Sequence, residues 1–285
     1  MSNPFLEATR ELKNAMVLHT DFANVLDGAQ KIIDYVAETR ISSGFILTAE
    51  SGMGKSALLD ILERRVTKKL STYDNHKCVI RLDLDAFCDT FKLATATSTA
   101  LGYPPPPART NLDTVTRMVD SAIASRQVRT ILVDEGQHIC EGNRDISARA
   151  SFDWFKRRID INPVLLAMTG THTLKRLREI NPQLSSRIPA NFSLNSFDYG
   201  DAWNNLLIGI SDAVKAVDFS IVKEKKLAKY LHNGCEGRLR PLKIWLTYSV
   251  ISKKDLASTK MTIEDLNAGY EAAFGSEPDI NNPFK

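Results

Sequence analysis

The run Phe45-Ile-Leu-Thr-Ala-Glu-Ser-Gly-Met-Gly-Lys-Ser56 constrains this chain more than any other stretch. A short apolar strand, Phe45 to Thr48, enters a loop bearing Gly52 and Gly54 and leaves it through Lys55 and Ser56. Leu58, Leu59, Ile61, Leu62 and Val66 then recur at helical spacing. Strand, glycine loop, Lys-Ser and helix in that order predict a phosphate-binding loop. The two glycines permit backbone angles and a close approach that a Cβ would block. Loop N–H groups and the helix N-terminus offer partial positive charge to phosphate oxygens. Lys55 adds a full charge near the β- and γ-phosphates, and the Ser56 hydroxyl is suited to Mg²⁺. Ser51, Gly52, Met53, Gly54, Lys55, Ser56 and Ala57 are therefore expected around a nucleoside triphosphate. The pattern's first glycine is Ala49 here, and a positive φ at that point would be strained.

The 285 residues are 43% hydrophobic and 25% charged, which suits a globular protein large enough to bury a substantial core. With 37 basic against 34 acidic residues, the net charge of +3 neither demands nor excludes nucleic acid, since local patches hold phosphate. No apolar stretch approaches the roughly 18 residues needed to span a bilayer, so no membrane partner is expected. The opening Met1-Ser2-Asn3-Pro4 has no charged leader before an apolar run. Cys78, Cys88, Cys140 and Cys235 form no Cys-x-x-Cys pair, which speaks against a zinc site or a disulfide framework. Cys78 lies in an apolar strand and reads as core, and the expected setting is a reducing cytoplasm.

Apolar periodicity predicts helix over residues 5–40, then a strand over Cys78 to Leu84 and a helix from Thr90 to Leu101. Pro104 to Pro107 form a stiff connector. Helix resumes over 111–126, and strands follow at Thr130 to Val133, Val164 to Met168 and Asn191 to Leu194. Short apolar strands alternating with helices indicate β-α-β units and a parallel sheet covered on both faces. After Asp198 only helical segments recur, near 201–217, 221–232, 237–252 and 262–273. The expected organisation is a helical arm (1–28), an α/β nucleotide-binding domain (29–197) and a small helical domain (198–285).

Thr130-Ile-Leu-Val-Asp-Glu135 places two carboxylates at the end of an apolar strand. Ligands of open parallel sheets bind beyond the strands' carboxyl ends, where Lys55 is also expected. Asp134 is suited to hold Mg²⁺ through its water shell, and Glu135 to orient and deprotonate an attacking water. A phosphate-transferring enzyme acting on small molecules would not need the second carboxylate, so the pair favours hydrolysis. Thr169 and Thr171, after the next strand, could bond the γ-phosphate or the lytic water, or cap a helix starting at Leu174. Arg187 precedes the last strand, from which it could reach a neighbouring subunit's γ-phosphate or form a surface ion pair. Arg238 and Arg240 open a helix of the second domain.

Taken in order, these features resemble an AAA+ ATPase of the initiator kind: a P-loop domain with a parallel sheet flanked by helices, plus a C-terminal helical lid. In that resemblance Gly52 to Ser56 correspond to Walker A, Asp134-Glu135 to Walker B, and Thr171 or Thr169 to sensor 1. Arg187 corresponds to the arginine finger, and Arg240 or Arg238 to sensor 2. Glu50-Ser-Gly-Met-Gly-Lys-Ser, Val133-Asp-Glu-Gly-Gln-His138, Met168-Thr-Gly-Thr171 and Val17-Leu-His-Thr-Asp-Phe22 look most like the TniB/TnsC transposition ATPases. The resemblance implies ATP and Mg²⁺ as cofactors, with His19 near the adenine. It implies a homo-oligomer, ring or helical filament, on double-stranded DNA, linking a target-recognition protein of the TniQ kind to a transposase and disassembling on hydrolysis. Lys92, Arg109 and Thr110 flank the insertion after the second strand, where that family places its DNA-facing elements; such side chains suit sequence-independent phosphate contacts. Trp154-Phe-Lys-Arg-Arg158 is a second DNA candidate, although helical spacing favours Trp154 and Phe155 in the core. Two other functions fit the same motifs: a replication initiator (helicase loader or origin binder), and a scaffold gated by nucleotide with little hydrolysis.

Overall fold

The computed structural model describes residues 3–70, 78–141, 145–275 and 282–284. Two helices, α1 (Pro4–Asn14) and α2 (Thr20–Thr39), lead into β1 (Ser43–Ala49) and α3 (Lys55–Leu70). Then come β2 (Val79–Asp83), α4 (Thr90–Ala100), α5 (Leu112–Ser125), β3 (Thr130–Asp134) and α6 (Asp145–Ile161). The α/β part ends with β4 (Leu165–Gly170), the short α7 (Leu177–Ile180) and α8 (Pro182–Arg187), and β5 (Ala190–Leu194). Helices α9 (Asp201–Ala213), α10 (Lys225–Cys235), α11 (Leu239–Ile251) and α12 (Ile263–Phe274) follow.

The single stretch of helix expected over 5–40 is two helices. Asn3 and Pro4 start α1 by side-chain capping and a preset φ. The second helix begins again at His19, whose Nδ1 accepts from the Phe22 N–H at 3.4 Å while its carbonyl takes the Ala23 N–H. The helix expected from Leu174 is instead a 3-10 turn over His172–Arg176 followed by α7. Asn181 precedes Pro182 and takes non-helical angles (φ −141°, ψ 80°), so the helix does not run through it.

The chain forms two compact units. One comprises Asn24–Glu50 and Gly54–Leu194. Its five strands are all parallel, in the order β2-β3-β4-β1-β5. Strands β3 and β4 are buried at every residue, and β1 at all but its first, as a sheet covered on both faces requires. Phe152 and Phe155 of α6, Leu93 of α4, and Val115 and Val119 of α5 join the core cluster that includes Ile131 and Leu166. Trp154 is buried too, with its Nε1 donating to Thr116 Oγ1 at 3.1 Å. Arg158 lies under it, 4.0 Å from ring to guanidinium carbon, and bonds Asp120 at 3.0 Å. Trp154, Phe155 and Arg158 are therefore core, with Arg158 paired to Asp120, while Lys156 pairs with Asp160 and Arg157 is exposed.

The other unit comprises Met1–Ala23, Ser51–Met53 and Asn195–Lys285. Trp203 and Trp245, both fully buried, anchor it, and their indole N–H groups donate to Ala228 O and Leu266 O at 2.8 and 2.7 Å. Helix α12 begins with a reciprocal Thr262–Asp265 capping box.

Candidate functional site

Ala49 closes β1 in strand geometry, fully buried and paired with Leu194. It is not among the residues with positive φ, so the missing glycine brings no backbone strain. The left-handed angles fall instead on Gly52 (φ +83°) and Gly54 (φ +96°), where side chains would be strained. A Cβ on Gly52 would also lie 2.3 Å from the Arg240 Cβ. Lys55 opens α3 and is nearly buried; its Nζ donates to the carbonyls of Ala49 and Glu50 at 3.0 and 3.2 Å. Its charge is thereby held inside the loop. Met53 is fully buried, while Ser56 is exposed and Ala57 half-buried.

Asp134 ends β3 beside Thr169 of β4, because the parallel pairing sets Val133 against Met168. Its Oδ1 accepts from Thr169 Oγ1 at 2.7 Å and from the Glu135 N–H at 3.1 Å. Its Oδ2 accepts from Arg81 Nη2 of β2 at 3.0 Å, and the Ser56 hydroxyl hydrogen-bonds the same carboxylate. Burial alone would push this carboxyl group up. The bonds from Thr169, Ser56 and the Glu135 backbone, with the Arg81 charge, outweigh it and hold the pKa below the usual range. A buried, ionised carboxylate next to the first residues of α3 is the outcome.

Glu135 follows in left-handed conformation (φ 53°, ψ 34°), half-buried. Gln137 Nε2 donates to its Oε2 at 2.6 Å. The other end of the same amide, Oε1, accepts from the Thr171 N–H at 3.1 Å. Thr171 caps the 3-10 turn by position only, with no side-chain bond to it, so the capping role considered for it is not what is observed. Of the two threonines, it is Thr169 whose hydroxyl bonds Asp134.

Arg240 Nη1 donates to Ser51 Oγ at 2.8 Å, within the helical unit that includes Ser51–Met53. Arg238 turns to Glu236 at 2.7 Å. His19 lies in the same unit, its ring edge-on to Phe197 at 4.6 Å. Burial pushes the His19 pKa down despite nearby Asp21, leaving a neutral ring; its Nε2 is buried without a hydrogen-bond partner.

Arg187 ends α8, pairs with Asp160, and donates from Nη1 to Gln183 O at 2.9 Å. Lys92 is exposed on α4, its Nζ on Phe87 O at 3.3 Å. Arg109 is exposed at φ +79°, and the Thr110 hydroxyl closes a turn onto Pro107 O at 2.7 Å. Lys92 therefore sits apart in sequence from the Arg109-Thr110 turn, and all three side chains leave at least part of their surface to solvent.

Arg81 was not singled out by the sequence, and Gln137 stood out only as a departure, with Gly136, from the usual pattern after the two carboxylates. The signal for Arg81 is a charge in the apolar run Val-Ile-Arg-Leu; it bonds both Asp60 of α3 and Asp134. Gln137 gives no such signal, since its meaning lies in the contact with Thr171, 34 residues away. Among the described residues no group of three His, Cys, Asp or Glu side chains could cage a metal ion, and no helix is long and apolar enough to cross a membrane.

Residues 10–198 match the family model described as bacterial TniB protein. No curated protein matches the chain. Among solved structures, the chain is similar to the Aeropyrum pernix ORC2 protein in ADPNP-ADP complexes, at TM-score 0.72 and 13% identity, covering 94% of this chain and 72% of that one. It is similar to Cdc6p from Pyrobaculum aerophilum, at TM-score 0.68 and 11% identity, over 92% of this chain and 70% of that one. The Aeropyrum pernix ORC1 protein in complex with DNA aligns at TM-score 0.67 and 15% identity, over 90% and 66% of the two chains. The fold is that of AAA+ ATPases, a parallel five-stranded sheet flanked by helices with a C-terminal helical region.

Proposed function

The chain belongs to the bacterial TniB family, and from that premise we propose that it is a Mg²⁺-dependent ATPase that assembles on double-stranded DNA to regulate transposition. In this reading it marks a target site, links a TniQ-like recognition protein to the transposase, and leaves the DNA when ATP is hydrolysed. Residues 29–197 form the nucleotide-binding domain, with 1–28 as an arm and 198–285 as a lid. The observation that carries the proposal is the Asp134 carboxylate, buried yet ionised and bonded by Ser56 and Thr169 beside a glycine loop that holds Lys55.

ATP binds with its phosphates on the loop from Ser51 to Ala57, where Lys55 exchanges its loop carbonyls for phosphate oxygens. Glu135 takes a proton from water as the water oxygen attacks the γ-phosphorus, and ADP leaves. The donor set fits Mg²⁺, which takes few protein ligands and keeps its water: one hydroxyl, Ser56, and one carboxylate, Asp134, are offered. When bound, that ion would neutralise charge on the β- and γ-phosphates. In this reading Arg240, which bonds Ser51, acts as sensor 2, and His19 serves as an N–H donor toward the base. Arg187 acts on the neighbouring subunit's nucleotide, and Lys92, Arg109 and Thr110 meet the DNA backbone.

A replication initiator remains the second reading, supported by the likeness to ORC and Cdc6 folds. Sedimentation with a non-hydrolysable ATP analogue and random-sequence duplex tests the first. Wild-type protein is expected to form DNA-bound assemblies only with nucleotide, and Lys55→Ala to form none. Assembly of Lys55→Ala equal to wild type would remove nucleotide control from the account. Stimulation of a partner helicase rather than a transposase would favour the second reading.

A further inference from the structure

The Gln137 side chain is 3% exposed and uses both ends of its amide on partners from different elements. Its orientation is forced by chemistry. The Glu135 carboxylate can only accept and the Thr171 backbone N–H can only donate, so the amide nitrogen must face Glu135 and the oxygen Thr171. Space for this arrangement is reserved at the end of β4. A Cβ on Gly170 would lie 2.6 Å from Gln137 Oε1 and 3.1 Å from the Gln137 backbone nitrogen. Glu135 itself is held at its other end by its N–H on Asp134 Oδ1 at 3.1 Å, in a left-handed backbone that costs about 1–3 kcal/mol for a side-chain-bearing residue. Such a conformation persists only where surrounding bonds over-determine it.

We infer that Gln137 is a positioning residue that ties the Glu135 carboxylate to the backbone at the end of β4, so that the Thr171 loop and the residue that activates water move together. This rests on the reading of Glu135 as the base for hydrolysis. A shift of the Thr171 loop on meeting a γ-phosphate reaches Glu135 through one buried amide, with no rearrangement of β3. The Gln137 side chain touches no nucleotide in this role; it sets where the carboxylate points.

The test compares ATP turnover at saturating ATP and ATP affinity in wild type, Gln137→Met, Glu135→Gln and the double variant. Gln137→Met keeps the volume and loses both hydrogen bonds. Misplacing the base by an ångström should lower kcat by about 10- to 10²-fold. ATP affinity should stay within about twofold, and adding Gln137→Met to Glu135→Gln should lower turnover by less than about twofold more. Should Gln137→Met fail to fold, Gln137→Leu likewise removes both hydrogen bonds without adding charge beside Glu135, and the same split is expected. Wild-type turnover in a Gln137 variant whose Glu135→Gln counterpart is inactive would overturn the coupling alone. So would a loss of ATP affinity in step with turnover, or full additivity in the double variant. Wild-type turnover in Glu135→Gln would overturn the reading of Glu135 and this inference with it.

Discussion

At Asp134, burial and charge pull in opposite directions, and the outcome is decided by the number of donors. Thr169, Ser56, the Glu135 N–H and Arg81 all serve one carboxylate, which keeps it ionised although it is 3% exposed. Thr169→Val removes the 2.7 Å bond and leaves that oxygen short of a donor, at a cost of about 1–3 kcal/mol at neutral pH. The sign of the pH dependence follows from the depressed pKa. Stability from this group is present above the unfolded value of 3.8 and is lost as pH falls through the lower folded value. The gap between wild type and Thr169→Val should therefore be full at pH 7 and narrow at pH values below the usual carboxylate range. Denaturant unfolding at several pH values measures it, and a gap that widens in acid would contradict the assignment. The strand, loop and helix that carry Lys55 and Ser56, and the strand that ends at Asp134, were legible in the sequence because each is fixed by its local neighbours. Which threonine bonds Asp134 was not, because it depends on the β3–β4 register.

The same distinction between local and distant causes operates among the elements. Strands β1, β3 and β4 appear as apolar runs because both faces of the sheet are covered, and α12 announces itself through Thr262 and Asp265. The restart of α2 at His19 and the division of the 172–187 region into three short helical pieces depend on capping and on Pro182, which apolar periodicity does not register. Beyond its cap, α12 is tied to the segment after α11 by Lys253. That Nζ donates to Asp265 Oδ2 at 2.7 Å and to Lys260 O at 2.8 Å, with the ammonium nearly buried. Lys253→Met leaves a buried carboxylate without its counter-charge and should cost about 3 kcal/mol. Lys253→Met with Asp265→Asn should cost less than the single change, since no unpaired charge remains. Unfolding titrations of the three proteins decide it; a double variant less stable than Lys253→Met would show that the charge pair is not what holds this corner.

At the scale of the whole molecule, the family match, the AAA+ fold and the phosphate loop converge on an ATPase, and the proposal adds assembly. The α/β class and the helical C-terminal part were legible as alternation followed by uninterrupted helix. The sequence did not disclose that Met1–Ala23 and Ser51–Met53 group with the C-terminal helices, because that grouping is made by contacts such as Arg240 on Ser51 and Glu11 on the backbone of Lys215. Arg187 is engaged within its own chain by Asp160, so its proposed reach to a neighbour requires exchanging a surface ion pair worth at most about 1 kcal/mol. Hydrolysis should then depend on assembly. The most direct measurement is phosphate release from ATP and Mg²⁺ on duplex DNA, per protomer, across a range of protein concentrations, for wild type and Glu135→Gln. Hydrolysis by assembled protomers requires a wild-type rate that rises with concentration to a plateau and a Glu135→Gln rate lower by about 10²-fold or more at every concentration. Equal rates in the two proteins, or no release by wild type under assembling conditions, would contradict it.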